Sequence, residues 1–396
     1  MAVKIIRQPK KIVLIGAPSS AAANAAGAEA APAALRAAGI AARLSQIGYE
    51  VTDAGDIPLQ AFQPDDDSPR ARNARPTVKS LEALQPHVER AVKAGALPIV
   101  LGGDCTLTLA VLAAIRRYYK EVSLIWCDSD ADMNTPATTP SGHLHGMVVA
   151  HIAGQGAAEL VRFFKEPPLV REPDIAIFGL SRTDPGEQAW LDSSPMRKFS
   201  PAEIREMGAA RAAEAALDRI HIFKRQWVLH FDVDVLAAED MPATYYPAAD
   251  GLRRDEAGAA LEVFLRNPNL AGITLTSYVP SADTDGAAAA RLLDLFVTAM
   301  AARYHALTVV AEQVKEAEQV KEAEEAEEVK EAAVEKEPGE VTEAEPAAQS
   351  EEAKEEVSQP AETSLAESEP VLAGNESSAS SEEAPSTAEE DSKAGA

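Results

Sequence analysis

The sequence predicts an α/β fold, a three-layer αβα arrangement around a mainly parallel sheet, followed by an acidic tail. Three observations carry that prediction. Short β-rich runs alternate with helix-like segments through residues 1–310. Most of those runs are continuously apolar, the pattern of strands buried on both faces. Finally, residues 311–396 contain no aromatic side chain and hold 27 of the 63 acidic but only 6 of the 37 basic residues. The formal charge of −26 therefore belongs mostly to the tail, and the body is near neutral.

The strand candidates, in order, are Lys11 to Pro18, Leu97 to Asp104, Val122 to Asp128, Asp174 to Leu180, Gln226 to Asp234 and Ala271 to Val279. Helix candidates between them include Thr77 to Ala94, Leu107 to Tyr119 and Asp255 to Leu265. The tail opens with AEQVKEAEQVKEAEEAEEVKEA, whose six-residue repeat suits a solvated helix continuing from the body but holds no apolar seam for a coiled coil. Beyond Pro338 its Ser, Pro and Glu content predicts disorder, because too little apolar surface is present to offset the entropy of ordering. A solubilising or tethering role is expected for it.

Several function classes are excluded at this level. Neither body nor tail carries a basic excess, which argues against nucleic acid as a partner. The N-terminal apolar run is too short for a signal peptide, and no uninterrupted apolar stretch approaches the ~18 residues of a membrane span. Two cysteines, Cys105 and Cys127, give no disulfide framework, so a cytoplasmic location is expected.

Polar groups cluster where the predicted strands end. GGDC follows Leu101, DSDAD follows Trp126, DPGE follows the run ending at Leu180, and DVD closes the run from Trp227. In open parallel sheets, sites form beyond the carboxyl ends of strands. Asp128, Asp130 and Asp132 alternate along the chain, as do Asp232 and Asp234, so each set points one way if the backbone stays extended. One such run alone reads better as a helix cap or turn. Two runs at strand ends with GGD nearby point instead to hard divalent cations, and paired ions can deprotonate a water.

These motifs, in this order, resemble the arginase, agmatinase and formiminoglutamase family of ureohydrolases. The resemblance starts at Gly27 to Ile57 and continues through LGGDC, DSDADMNTPATTPSGHLHGM, GLSRTDPGE, FDVDV and YVPSADTDG. It implies a dinuclear Mn²⁺ centre and hydrolysis of a C–N bond in a guanidino, arginine-like substrate by metal-activated hydroxide, in a homo-oligomer that is a trimer or hexamer. The implied metal ligands fall on Cys105, Asp128, Asp130, Asp132, Asp232 and Asp234, with Asp132 also orienting the hydroxide. The family has histidine at the positions of Cys105 and Asp130. A thiolate there favours Zn²⁺ or Fe²⁺, and five carboxylates with a thiolate outweigh two divalent charges, so a neutral thiol or a protonated aspartate is expected.

By the same resemblance His145 is the proton-shuttling residue that serves the leaving amine, and Asn134, Ser141, His143, Asp184 and Glu187 stand at substrate-contacting positions. Arginases have asparagine where His143 stands. They have a guanidinium-pairing glutamate where this chain has Ser277, and a serine offers neither charge nor a bidentate acceptor. These departures support a second reading, a catalytically lapsed relative kept for a structural or regulatory role.

Overall fold

The computed structural model describes residues 7–8, 10–220 and 225–334. Among these residues the strands are β1 (Lys11–Ala17), β2 (Glu50–Asp56), β3 (Leu97–Gly102), β4 (Val122–Cys127), β5 (Ile175–Phe178), β6 (Arg197–Phe199), β7 (Gln226–Asp232) and β8 (Leu270–Thr276). They form one sheet in the order β2-β1-β3-β8-β7-β4-β5-β6, with every pairing parallel. The α/β class and the parallel sheet are as the sequence predicts.

All six predicted strands are present, each shorter at its carboxyl end than the apolar run suggests; at β3, β4 and β7 it is the polar residues Asp104, Asp128 and Asp234 that leave the ladder. The two strands the sequence does not announce are the sheet edges. β2 reads EVTDAGD and is exposed along nearly its whole length. Its place is set by its parallel register with β1, from Lys11 opposite Glu50 onward. Arg36 also clamps it, donating to Asp53 at 2.7 Å and to Asp56. β6 has only three residues, too few for a pattern to show.

Helices cover both faces, and the sheet separates two apolar cores. On one side Leu35, Leu44, Phe264 and Phe296 pack against Ile99, Phe178 and Leu229. On the other, Leu81, Val88, Leu109 and Leu112 pack against Val100, Leu124 and Ile177. Helix Leu107–Arg116 is apolar nearly all round and buries eight of its ten residues, as expected for a helix enclosed by protein. The last helix runs Ala287–Val334. Its stretch Ala287–Val310 is long and apolar enough to cross a membrane by composition, but Leu292, Leu293, Phe296 and Met300 lie in the core. The expected disorder beyond Pro338 concerns residues outside the described ones.

Candidate metal centre and substrate pocket

The sheet order dictates the site. Reading across β3, β8, β7, β4 and β5, the residues at or just past their carboxyl ends include Cys105, Ser277, Asp232, Asp128 and Arg182, a contiguous row from strands far apart in sequence. The GGDC turn is built to fit. Gly103 donates to the Ala17 carbonyl at 3.2 Å, and a Cβ on it would run into the Ser19 carbonyl. Buried Asp104 pins the turn by accepting from Thr106 N at 3.1 Å and Ala22 N at 3.3 Å.

Asp232 is the hub of the inner half. Its Oδ2 accepts from Cys105 Sγ at 3.0 Å, from Thr276 Oγ1 at 3.2 Å and from Ser277 Oγ, while Oδ1 accepts from Asp234 N at 3.0 Å. Burial raises the Asp232 carboxyl despite those donors, which lower it. Burial, then the charges of Asp232, Asp132 and Asp128, push the Cys105 thiol well up, so it stands protonated as an S–H donor. Burial and neighbouring carboxylates likewise raise Asp128, Asp132 and Asp234. The charge conflict expected from the sequence is thus resolved towards neutral groups.

Two sets of donor atoms lie within 4.8 Å of one another: Cys105, Asp128, His230 and Asp232, and beside them Asp128, Asp130 and Asp234, with Asp128 in both. Asp132 belongs to neither set, but it sits adjacent at a left-handed φ of 48°, its Oδ2 buried without a hydrogen-bond partner. The Asp234 Oδ1 and His230 Nε2 atoms are likewise buried and unpartnered. Buried lone pairs left without donors suit cations, so the residues fit a metal.

Two residues here escaped the sequence reading. His230 is wholly enclosed, stacked on Trp126 with ring centroids 3.5 Å apart, and its Nε2 lies 3.6 Å from Asp128 Oδ2. The signal is its spacing, since His230 and Asp232 alternate on β7 and share a face of the sheet. Arg182 is the other. Its Nη2 donates to Asp130 Oδ2 at 2.6 Å and to Asp234 Oδ2 at 2.8 Å, its Nε to Asp130 Oδ1 at 3.1 Å, and its Nη1 to the Tyr246 carbonyl at 2.7 Å. Burial lowers this guanidinium, yet Asp234 and Asp130 carry it above its ordinary value.

Beyond the carboxylates opens a pocket of about 320 Å³, lined by Asp130, Asp132, Asn134, Ser141, His145, Arg182, Asp184, Glu187 and Tyr246 among others. A larger cavity of about 600 Å³, walled by Val78, Arg116, Phe163 and Lys165, has none of the strand-end chemistry. Within the smaller pocket, Asn134 Nδ2 donates to Asp184 Oδ2 at 2.8 Å and Asn134 Oδ1 accepts from Thr138 at 3.0 Å. Glu187 accepts from Met133 N at 2.8 Å and from Asp184 N at 2.7 Å, closing the first turn of helix Pro185–Ser193. His143 stays off the pocket wall, its ring 6.1 Å from that of His145. Burial, and then His143, depress His145 to about 4, so it is neutral at pH 7 rather than a ready proton donor.

A parallel sheet whose strand ends gather carboxylates able to hold cations beside a polar pocket is the α/β architecture of the ureohydrolases. The chain belongs to the arginase family, matching it over residues 10–302. It is 30% identical to the arginase of Bacillus caldovelox over 257 residues, which cover 64% of this chain and 86% of that protein. It is 31% identical to arginase-1 of Rattus norvegicus over 278 residues, 69% of this chain and 86% of that one. The crystal structure of arginase from Bacillus cereus superimposes with a TM-score of 0.68 at 28% identity, covering 74% of this chain and 98% of that chain.

Proposed function

We propose that this protein is a metal-dependent hydrolase that cleaves a C–N bond of a guanidino compound. One observation carries the reading: the pocket walled by Asp132, Asp184, Glu187 and His145 shares Asp130, Asp132 and His145 with the small cavity lined by Cys105, Asp128, Asp232 and Asp234. Carboxyl oxygens on these walls offer the paired hydrogen-bond acceptors that a guanidinium takes. A divalent metal bound among Cys105, Asp128, His230 and Asp232 would supply Lewis acidity for activating a water.

The chain's own residues do the rest. Asp132, with its free Oδ2 at the pocket floor, accepts a hydrogen bond from the attacking water and fixes its direction. Neutral His145 accepts a proton and then returns it to the departing amine, a sequence its lowered basicity favours in the second half. Asn134, held by Asp184 and Thr138, and Ser141 position the far end of the substrate. Glu187 supports them from beneath, both of its oxygens being engaged by backbone N–H groups.

The test is urea release from a panel of guanidino compounds by the full-length chain supplied with Mn²⁺, Fe²⁺ or Zn²⁺. Turnover that falls at least a hundredfold in His145→Ala and Asp132→Asn supports the reading. No release above an Asp232→Ala control with any compound and any metal overturns it.

A further inference from the structure

We propose that the centre is built for one ion rather than two: Cys105, Asp128, His230 and Asp232 hold a single divalent cation, and the guanidinium of Arg182 stands in for a second. The proposal rests on the metal-dependent part of the function proposed above, and not on its substrate.

His230 is oriented as a ligand is. Its Nδ1 lies 2.7 Å from Thr108 Oγ1 and 3.0 Å from Thr274 Oγ1, and Trp126 fixes the plane of the ring. With the Nδ1 proton donated to a threonine hydroxyl, Nε2 presents its lone pair to Asp128 and has no hydrogen-bond partner of its own. A buried, unpartnered ring nitrogen destabilises the fold unless something binds it. Metal-ligating histidines are characteristically held this way, through the opposite ring nitrogen. Donor atoms from Cys105, Asp128, His230 and Asp232 already converge within 4.8 Å. One sulfur, one imidazole and two carboxylates make a four-donor set for Zn²⁺, Co²⁺ or Fe²⁺ rather than for an all-oxygen Mn²⁺ site.

The outer set is differently occupied. Arg182 uses every nitrogen of its guanidinium, three contacts going to Asp130 and Asp234 and one to the Tyr246 carbonyl. The backbone delivers it there, since Ser181 and Arg182 both donate to the Ser129 carbonyl at 2.9 Å, tying the segment after β5 to the segment after β4. An ion entering among Asp128, Asp130 and Asp234 must displace a fixed cation and break those contacts. A fork of this kind pairs with carboxylates as a divalent ion does, but offers no open coordination position.

Cobalt titration of the full-length chain tests both halves. The expected result is one Co²⁺ per chain with thiolate-to-cobalt absorption in the near ultraviolet, lost in Cys105→Ser, and binding at least tenfold weaker in His230→Gln. Thr108→Val with Thr274→Val, which removes both hydroxyl partners of Nδ1 and no metal donor, is expected to weaken binding in the same direction. Arg182→Ala is expected to take up a second Co²⁺, and the ion is expected to raise its Tm more than that of the wild type, while Arg182→Lys stays at one. Two ions in the wild type, no Cys105-dependent absorption, or the same stoichiometry in Arg182→Ala overturns the proposal. A chain that binds one Co²⁺ as described yet releases no urea leaves this centre standing and removes the hydrolase reading instead.

Discussion

Tyr246 lies face to face with His145, the ring centroids 5.8 Å apart and the planes 7° from parallel. The same tyrosine carries Arg182 at 5.9 Å from its ring centroid and is itself 40% exposed. It therefore roofs the boundary between the pocket and the carboxylates, and it contributes to the burial that depresses His145 to about 4. Burial disfavours the charged imidazolium, so removing the roof makes protonation easier. Tyr246→Ala is expected to raise the His145 pKa by at least one unit towards the ordinary value near 6.5, read from the imidazole resonances in an NMR titration. An unchanged titration would show that Tyr246 shields nothing.

Ser277 sits at a left-handed φ of 66°, an uncommon conformation for a residue with a Cβ, and donates its hydroxyl to Asp232. The backbone strain and the hydrogen bond separate by substitution. Ser277→Ala keeps the strain and loses the donor to a buried carboxylate, at about 1.5–3 kcal/mol. Ser277→Gly loses the same donor but relieves about 1 kcal/mol of strain. In urea denaturation of chelator-treated protein the glycine variant should be the more stable of the two. The reverse order would mean that the conformation is unstrained.

The limits of sequence reading at this site follow from which residues carry a local pattern. Asp128, Asp232 and Asp234 were legible because each closes an apolar run, and their strand-end position follows from sheet chemistry. Arg182 was not, because its partners Asp130 and Asp234 are each 52 residues away and meet it only through the adjacency of β5, β4 and β7. His230 was hidden by its apolar surroundings, where a histidine reads as core. Edge strand β2 was missed because a sheet edge needs pairing partners but not apolar side chains.

Gly103 supplies a further test of how the inner donor set is held. Any side chain there collides with backbone at Ser19, and backbone does not yield as a flexible side chain does. Gly103→Ala is expected to shift the turn that carries Cys105, lowering Co²⁺ affinity at least tenfold and abolishing the near-ultraviolet absorption, while far-ultraviolet circular dichroism stays that of an α/β protein. Unaltered absorption would show that Cys105 is placed by something other than the turn.

Glu187 makes stability depend on pH with a definite sign. Burial pushes its carboxyl up to about 7 from an ordinary 4.5, outweighing the Asp184 and Met133 N–H groups that lower it. Between those values the folded chain holds a proton that the unfolded chain has lost. The contribution is therefore fully present below about 4.5 and lost as pH rises through about 7. Glu187→Gln removes the titration and, because its amide nitrogen faces a backbone N–H, also loses one hydrogen bond at every pH. The wild type should thus exceed the variant in stability by most near pH 5, and the gap should narrow towards pH 8 by on the order of 3 kcal/mol at most. Denaturant unfolding of both proteins across that range measures it, and a gap that stays constant or widens with pH would place the Glu187 pKa in the ordinary carboxylate range.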